Sequence, residues 1–168
     1  MVARRLLCAL TLLTLTACSS TPERLGAPIE GYSHTSAAIN SFSVNGAGGS
    51  NIGPHSGGGQ TCCALLPVKW QPGLKVVVEW EKDPNSTASR NWPSLSDWEA
   101  RRKAIAEHRA KYTRHRAVVE VAPYDGLGVV TVHFLPCNQV KVAAGTTRPR
   151  MPSHPYHYPL NMEEPSQC

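Results

Sequence analysis

The 168-residue sequence is poor in aromatic side chains, at 7%, and in charge, at 17%, and beyond its first residues it has no long apolar run. With 41% hydrophobic residues, 14 Pro and 13 Gly it can build one small domain, which excludes a large multidomain enzyme. Acid is the scarcer charge, 12 residues against 17 Lys and Arg, for a net charge of +5. Arg4 and Arg5 fall in a segment expected to be removed, and the excess that remains is too mild to point to nucleic acid. No Gly-Lys-Ser/Thr phosphate loop and no dinucleotide fingerprint opening a helix occurs, which argues against nucleotide binding. Zinc-ribbon spacing is missing too, because Cys62-Cys63 has no second cysteine pair to match it. No internal repeat is present.

What is there begins with an address. Residues 1–17 read as an export signal, with Arg4 and Arg5 followed by an apolar run over 6–15 that is too short to span a bilayer. The run closes on Leu15-Thr16-Ala17-Cys18, which resembles the lipobox of bacterial lipoproteins, so Cys18 is expected to be the lipid-bearing mature N-terminus. Acyl chains contribute about 0.8 kcal/mol per buried methylene, enough in combination for a stable anchor. Ser19 and Ser20 lack the aspartate that retains such lipoproteins at the inner membrane, so the resemblance implies the periplasmic face of the outer membrane. Residues 18–28 are expected to be the membrane linker.

Export places Cys62, Cys63, Cys137 and Cys168 in an oxidising compartment, where disulfides are the default. Four cysteines allow three pairings. A bond between neighbours is disfavoured on geometry, so one of Cys62 and Cys63 is expected to join Cys137, leaving the other for Cys168 or free.

Strand signals fall at 31–35, 39–44, 61–66, 74–80, 117–121 and 129–135, punctuated by Asn45-Gly46, Pro72-Gly73 and Asp125-Gly126. One helix is expected over 96–113, from a Ser96/Glu99 capping box and from Trp98, Ile105 and Tyr112 recurring as a narrow apolar seam. The expected fold is therefore α+β over 29–145, a mainly antiparallel sheet of about six strands with one amphipathic basic helix packed on it. A Pro-rich C-terminal tail over 146–168 should lie on the surface, tied down by Cys168.

Residues 45–60 hold seven of the 13 glycines, a long loop that suits partner binding, with Asn51 and His55 as candidates. Pro54-His55-Ser56-Gly57-Gly58 falls short of a hydrolase elbow, and a triad of Ser56, His133 and Asp125 is a weak signal. The seven histidines are scattered, the closest pair being His154 and His157, so neither a metal nor any other cofactor is expected. The Asn85-Ser86-Thr87 sequon is discounted in a bacterial lipoprotein. Between Arg90 and Arg116 eight basic residues face three acidic ones, a steering surface for an acidic partner or anionic headgroups. Trp92, Arg101, Arg102 and Arg109 are its candidate anchors, with Trp98 assigned to the core.

One stretch carries more than composition. Gly31-Tyr32-Ser33-His34-Thr35, the run from Ile39 to Gly46, Gly48-Gly49, Gly57-Gly58-Gly59, Cys62-Cys63, Leu66-Pro67, Trp70 and Pro72-Gly73-Leu74 resemble, in that order, a family of small proteobacterial lipoproteins with an unknown-function domain. Members associated with a role look like immunity proteins of type VI secretion lipase effectors. The resemblance implies a non-enzymatic, lipid-anchored periplasmic protein whose partner is a cognate lipase effector. Alternatives are an envelope lipoprotein that binds a metal or small ligand, and a structural envelope lipoprotein.

Overall fold

In a computed structural model, residues 21–168 are described; the expected export segment and Cys18 lie outside them. Nine strands form two sheets. In the first, β1 (Arg24–Ser33) is flanked on one side by β4 (Ser56–Gly57) and β5 (Thr61–Pro67), and on the other by β8 (Val130–Phe134), which pairs with β9 (Val140–Ala143). The second runs β3 (Ala47–Gly49), β2 (Ala38–Val44), β6 (Lys75–Asp83) and β7 (Thr113–Glu120). Every strand pairing is antiparallel except β1 with β8. Isolated bridges join Ile39 of β2 to Ile52 in the segment between β3 and β4, and Val121, just past β7, to Val142 of β9.

The core fills the space between the sheets. Ile29, Val132 and Phe134 from the first meet Phe42, Val44, Val78 and Trp80 from the second, all buried. Phe134 packs edge-on to Phe42 at 5.3 Å between ring centroids and lies 5.7 Å from Trp80. Each such side chain contributes about 1.5–3 kcal/mol by leaving water. The Phe42 ring fits only because Gly49 lies against it, where an added Cβ would strike the ring. The β2–β3 hairpin turns at Asn45 and Gly46 with φ of 50° and 84°, the paired left-handed conformations a two-residue hairpin needs.

Strand β8 shows what organises the site. Its sequence Val-Thr-Val-His-Phe alternates apolar and polar, yet all five residues are buried. Val130, Val132 and Phe134 belong to the core, while Thr131 and His133 face the other side of the sheet. Aromatic residues of the chain after β9 pack onto His133 on that side. This strap has no regular secondary structure, consistent with its prolines, but it is well tied. Met162 N–H donates to His34 O, Lys82 pairs with Glu164, and Cys137 is bonded to Cys168.

Several expectations are corrected. The expected single sheet of six strands is two sheets of nine, because the Gly-rich stretch 45–60 supplies β3 and β4 and a buried Ile52, and residues 140–143 supply β9. Strand β1 starts at Arg24, inside the span assigned to the linker. Cysteine pairing also differs: Cys62 bonds Cys63, and Cys137 bonds Cys168. Register explains it, since Thr61 pairs with Ile29 on one side of β1, whereas Phe134 pairs with Ser33 on the other. Cys137 therefore lies across β1 and roughly 15–20 Å along it from Cys62 and Cys63, beyond the Cα reach of a disulfide.

The helix α1 is Trp98–Arg109, shorter than expected, and its N-cap is Asp97, whose carboxylate accepts from Ala100 N–H at 3.1 Å. It does not pack on the sheet through the Trp98, Ile105 and Tyr112 seam. Trp98 is 61% exposed, and His108 is the helix's one buried residue. With Trp98 and Ile105 as its only large apolar residues and charge filling half of its positions, the helix offers little apolar area to a sheet, and the polar base of the insert takes over the anchoring.

Candidate functional site

The outer face of the first sheet presents Tyr32, His34 and His133. Strand register sets Tyr32 beside His133, and the two rings stack at 5.6 Å. His34, just past the end of β1, lies on the same side, with its Nε2 2.9 Å from His133 Nδ1 and its Nδ1 2.8 Å from Pro159 O. A carbonyl only accepts, so His34 carries its proton on Nδ1 and accepts at Nε2 from His133 Nδ1–H. His133 Nε2 is then a bare lone pair.

The strap adds His154, Tyr156 and Tyr158. Their rings lie 5.4, 5.7 and 5.9 Å from that of His133, in the same order. His154 Nδ1 is 2.9 Å from Tyr156 O and 3.2 Å from Tyr156 N; the tautomer that satisfies the shorter contact carries its proton on Nδ1 and leaves Nε2 bare, whereas the longer one, from Tyr156 N–H, suits the other tautomer. His34, His133 and His154 are 1–2% exposed, and Nε2 of both His133 and His154 is buried without a hydrogen-bond partner among the described residues. Burial, with smaller contributions from His34 and His154, pushes His133 down to about 3. Burial also lowers His34 and His154, against the carbonyls they face. Tyr32, half-buried and bonded to Glu30, is pushed up to about 12. The cluster is therefore neutral at pH 7. It borders a cleft of about 120 Å³ lined by Tyr32, His34, His133, Arg150, Tyr158 and their neighbours.

The partner-binding candidates split between two elements. Residues 84–112, inserted between β6 and β7, carry Trp92, Arg101, Arg102 and Arg109. Arg101 lies over the Trp92 ring at 5.5 Å and donates to Pro93 O, so these two brace the insert from within. Arg102 and Arg109 are exposed. At the insert's base, buried His108 pairs with buried Asp83 at 3.0 Å and meets Trp92 and Tyr112 edge-on. Asn51 and His55 are exposed on the Gly-rich segment, though His55 Nδ1 is held 3.0 Å from Leu160 O of the strap. His55 N–H donates to Thr35 O, and Asp83 pairs with Ala38, so loop and insert base flank the same β1–β2 turn.

The weak triad is not assembled: Ser56 donates to Gly53 O, and His133 Nδ1 is engaged by His34. The histidine cluster, by contrast, was not visible as a unit in the sequence, where His34, His133 and His154 are dispersed. The available signal was the polar half of β8's alternation followed by a His- and Tyr-bearing tail.

A family model described as "Protein of unknown function (DUF3304)" matches residues 32–142. The chain belongs to the DUF3304 family. The matched span holds His34, His133, the insert and Cys137, whereas the strap that carries His154 and Cys168 lies beyond it. No curated protein and no solved structure matches the chain.

Proposed function

We propose that this DUF3304 protein is a lipoprotein anchored through Cys18 on the periplasmic face of the outer membrane, where it binds and neutralises a type VI secretion lipase effector. A lipase delivered into the periplasm attacks the producer's own membranes, so its neutraliser has to be exported, held at the membrane and tightly binding, without needing a catalytic group. The single observation that carries this reading is the insert between β6 and β7. Leu95 is 75% and Trp98 61% exposed there, next to exposed Arg102, Lys103 and Arg109. Large apolar side chains beside arginines on an arm with little part in the core match the composition of interface hot spots. Because Trp92 and Arg101 are occupied with each other, the anchors shift to Trp98, Leu95, Arg102 and Arg109, with Asn51 and His55 at the rim.

The test is protection in cells. The lipase-like protein encoded nearest to this chain's gene is directed to the periplasm with and without the full chain. Survival with the natural chain, and loss of survival with a Trp98→Ala, Arg102→Glu, Arg109→Glu variant that still accumulates, is the expected result. Equal lysis in both cases sinks the reading.

A further inference from the structure

Two imidazole nitrogens in the interior of a small domain, each stripped of water and given no donor, are costly to leave unmet. His133 Nε2 and His154 Nε2 are in that condition, 1% and 2% exposed as residues. Both rings have their other nitrogen fixed by an acceptor: His133 Nδ1–H by His34, which is itself fixed by Pro159 O, and His154 Nδ1–H by Tyr156 O. That is the outer-shell arrangement that orients metal-binding histidines and sets their tautomer. The ring centroids are 5.4 Å apart. An ion bound to both at the usual metal–nitrogen distance of about 2.0 Å would hold two such centroids no more than about 6 Å apart.

We propose that His133 and His154 together bind one monovalent copper ion through their Nε2 atoms. Imidazole suits copper, zinc, iron and nickel alike, so the ligand type leaves the choice of metal to charge. The charge of the ion follows from the surroundings. No carboxylate lines the adjoining cleft, and Arg150 does. The nearby Glu30 carboxylate is taken up by the Tyr32 hydroxyl and by Gln60, so a buried dication would meet little compensating negative charge, and its desolvation cost rises with the square of its charge, which disfavours zinc and cupric ions. A cuprous ion carries one charge and accepts two neutral nitrogen ligands. The one group of three possible metal ligands found together among the described residues, Cys137, Glu164 and Cys168, is ruled out as a thiolate site because the two cysteines are bonded to each other. Since His154 comes from the strap and His133 from β8, the ion would also pin the strap to the sheet.

The test uses the protein as purified from the membrane in detergent, with any free thiol alkylated, titrated anaerobically with cuprous ion against a chromophoric cuprous chelator. The natural chain should hold one equivalent, and X-ray absorption should show nitrogen and no sulfur around it. His154→Gln should weaken binding more than about 100-fold, beyond the 10–100-fold typical of losing an outer-shell partner. His157→Gln, at an exposed neighbour, should leave it unchanged. No stoichiometric copper in the natural chain, sulfur in its ligand shell, or equal retention by His154→Gln overturns the proposal. If His154→Gln does not fold, the stoichiometry and ligand identity in the natural chain still decide it.

Discussion

Replacing Cys137 and Cys168 by Ser tests how the strap is held. The bond closes a loop with a sequence separation of 31. Chain-entropy arithmetic for that length gives about 3–4 kcal/mol of stabilisation through the unfolded state, a large share of the roughly 5–15 kcal/mol available to a small domain. The native strap keeps its other attachments, namely Met162 N–H to His34 O, Pro159 O to His34 Nδ1, Leu160 O to His55 and Lys82 to Glu164. The double variant should therefore fold with its strap docked but unfold at lower urea. Denaturation followed by tryptophan fluorescence measures the loss, and amide exchange at Met162 reports on the strap. A loss under about 1 kcal/mol with unchanged exchange would mean that the bond constrains neither state and does not hold the strap.

Four further outcomes are expected. His108→Ala strips Asp83 of its buried partner and should cost about 3 kcal/mol in urea unfolding, with amide exchange rising first in the insert. Trp98→Ala touches no core contact and should change stability by no more than about 0.5 kcal/mol while lowering affinity for the effector, read by calorimetry on both properties. Gly49→Ala drives a methyl into the Phe42 ring and should destabilise by roughly 1–3 kcal/mol, seen as a lower melting temperature. Acid should loosen the strap's end: burial raises Glu164, but the Lys82 ammonium and Cys137 N–H outweigh it and hold the carboxyl below the ordinary 4.5. The unfolded chain then takes up that proton first, so the contribution is present above pH 4.5 and is lost as pH falls below it, and Glu164→Gln should flatten this part of the pH profile of stability.

The parts of the fold that could be read in the sequence are those set by local chemistry. Val-rich alternation marked β6 and β8, Asn45-Gly46 marked a hairpin turn, and the acidic start of α1 marked a helix, though its cap proved to be Asp97 rather than Ser96. What escaped depends on distant chain. Strand β3 is Ala-Gly-Gly, with no side-chain signature, and exists because Phe42 needs a glycine opposite it. Cysteine pairing depends on the order of strands around β1, which no spacing reveals. Trp98 looked like core because periodicity reports a face without saying what meets it. The histidine cluster formed from three separated positions only once the strap closed over β8.

Neutralisation by binding is decided by titrating the purified lipase-like neighbour with the full chain in detergent, with ester turnover followed in the same samples. Stoichiometric, nanomolar binding that abolishes turnover, and that weakens when Trp98, Arg102 and Arg109 are replaced together, is the expected result. Full turnover by a folded, active lipase at saturating concentrations of the chain would contradict it.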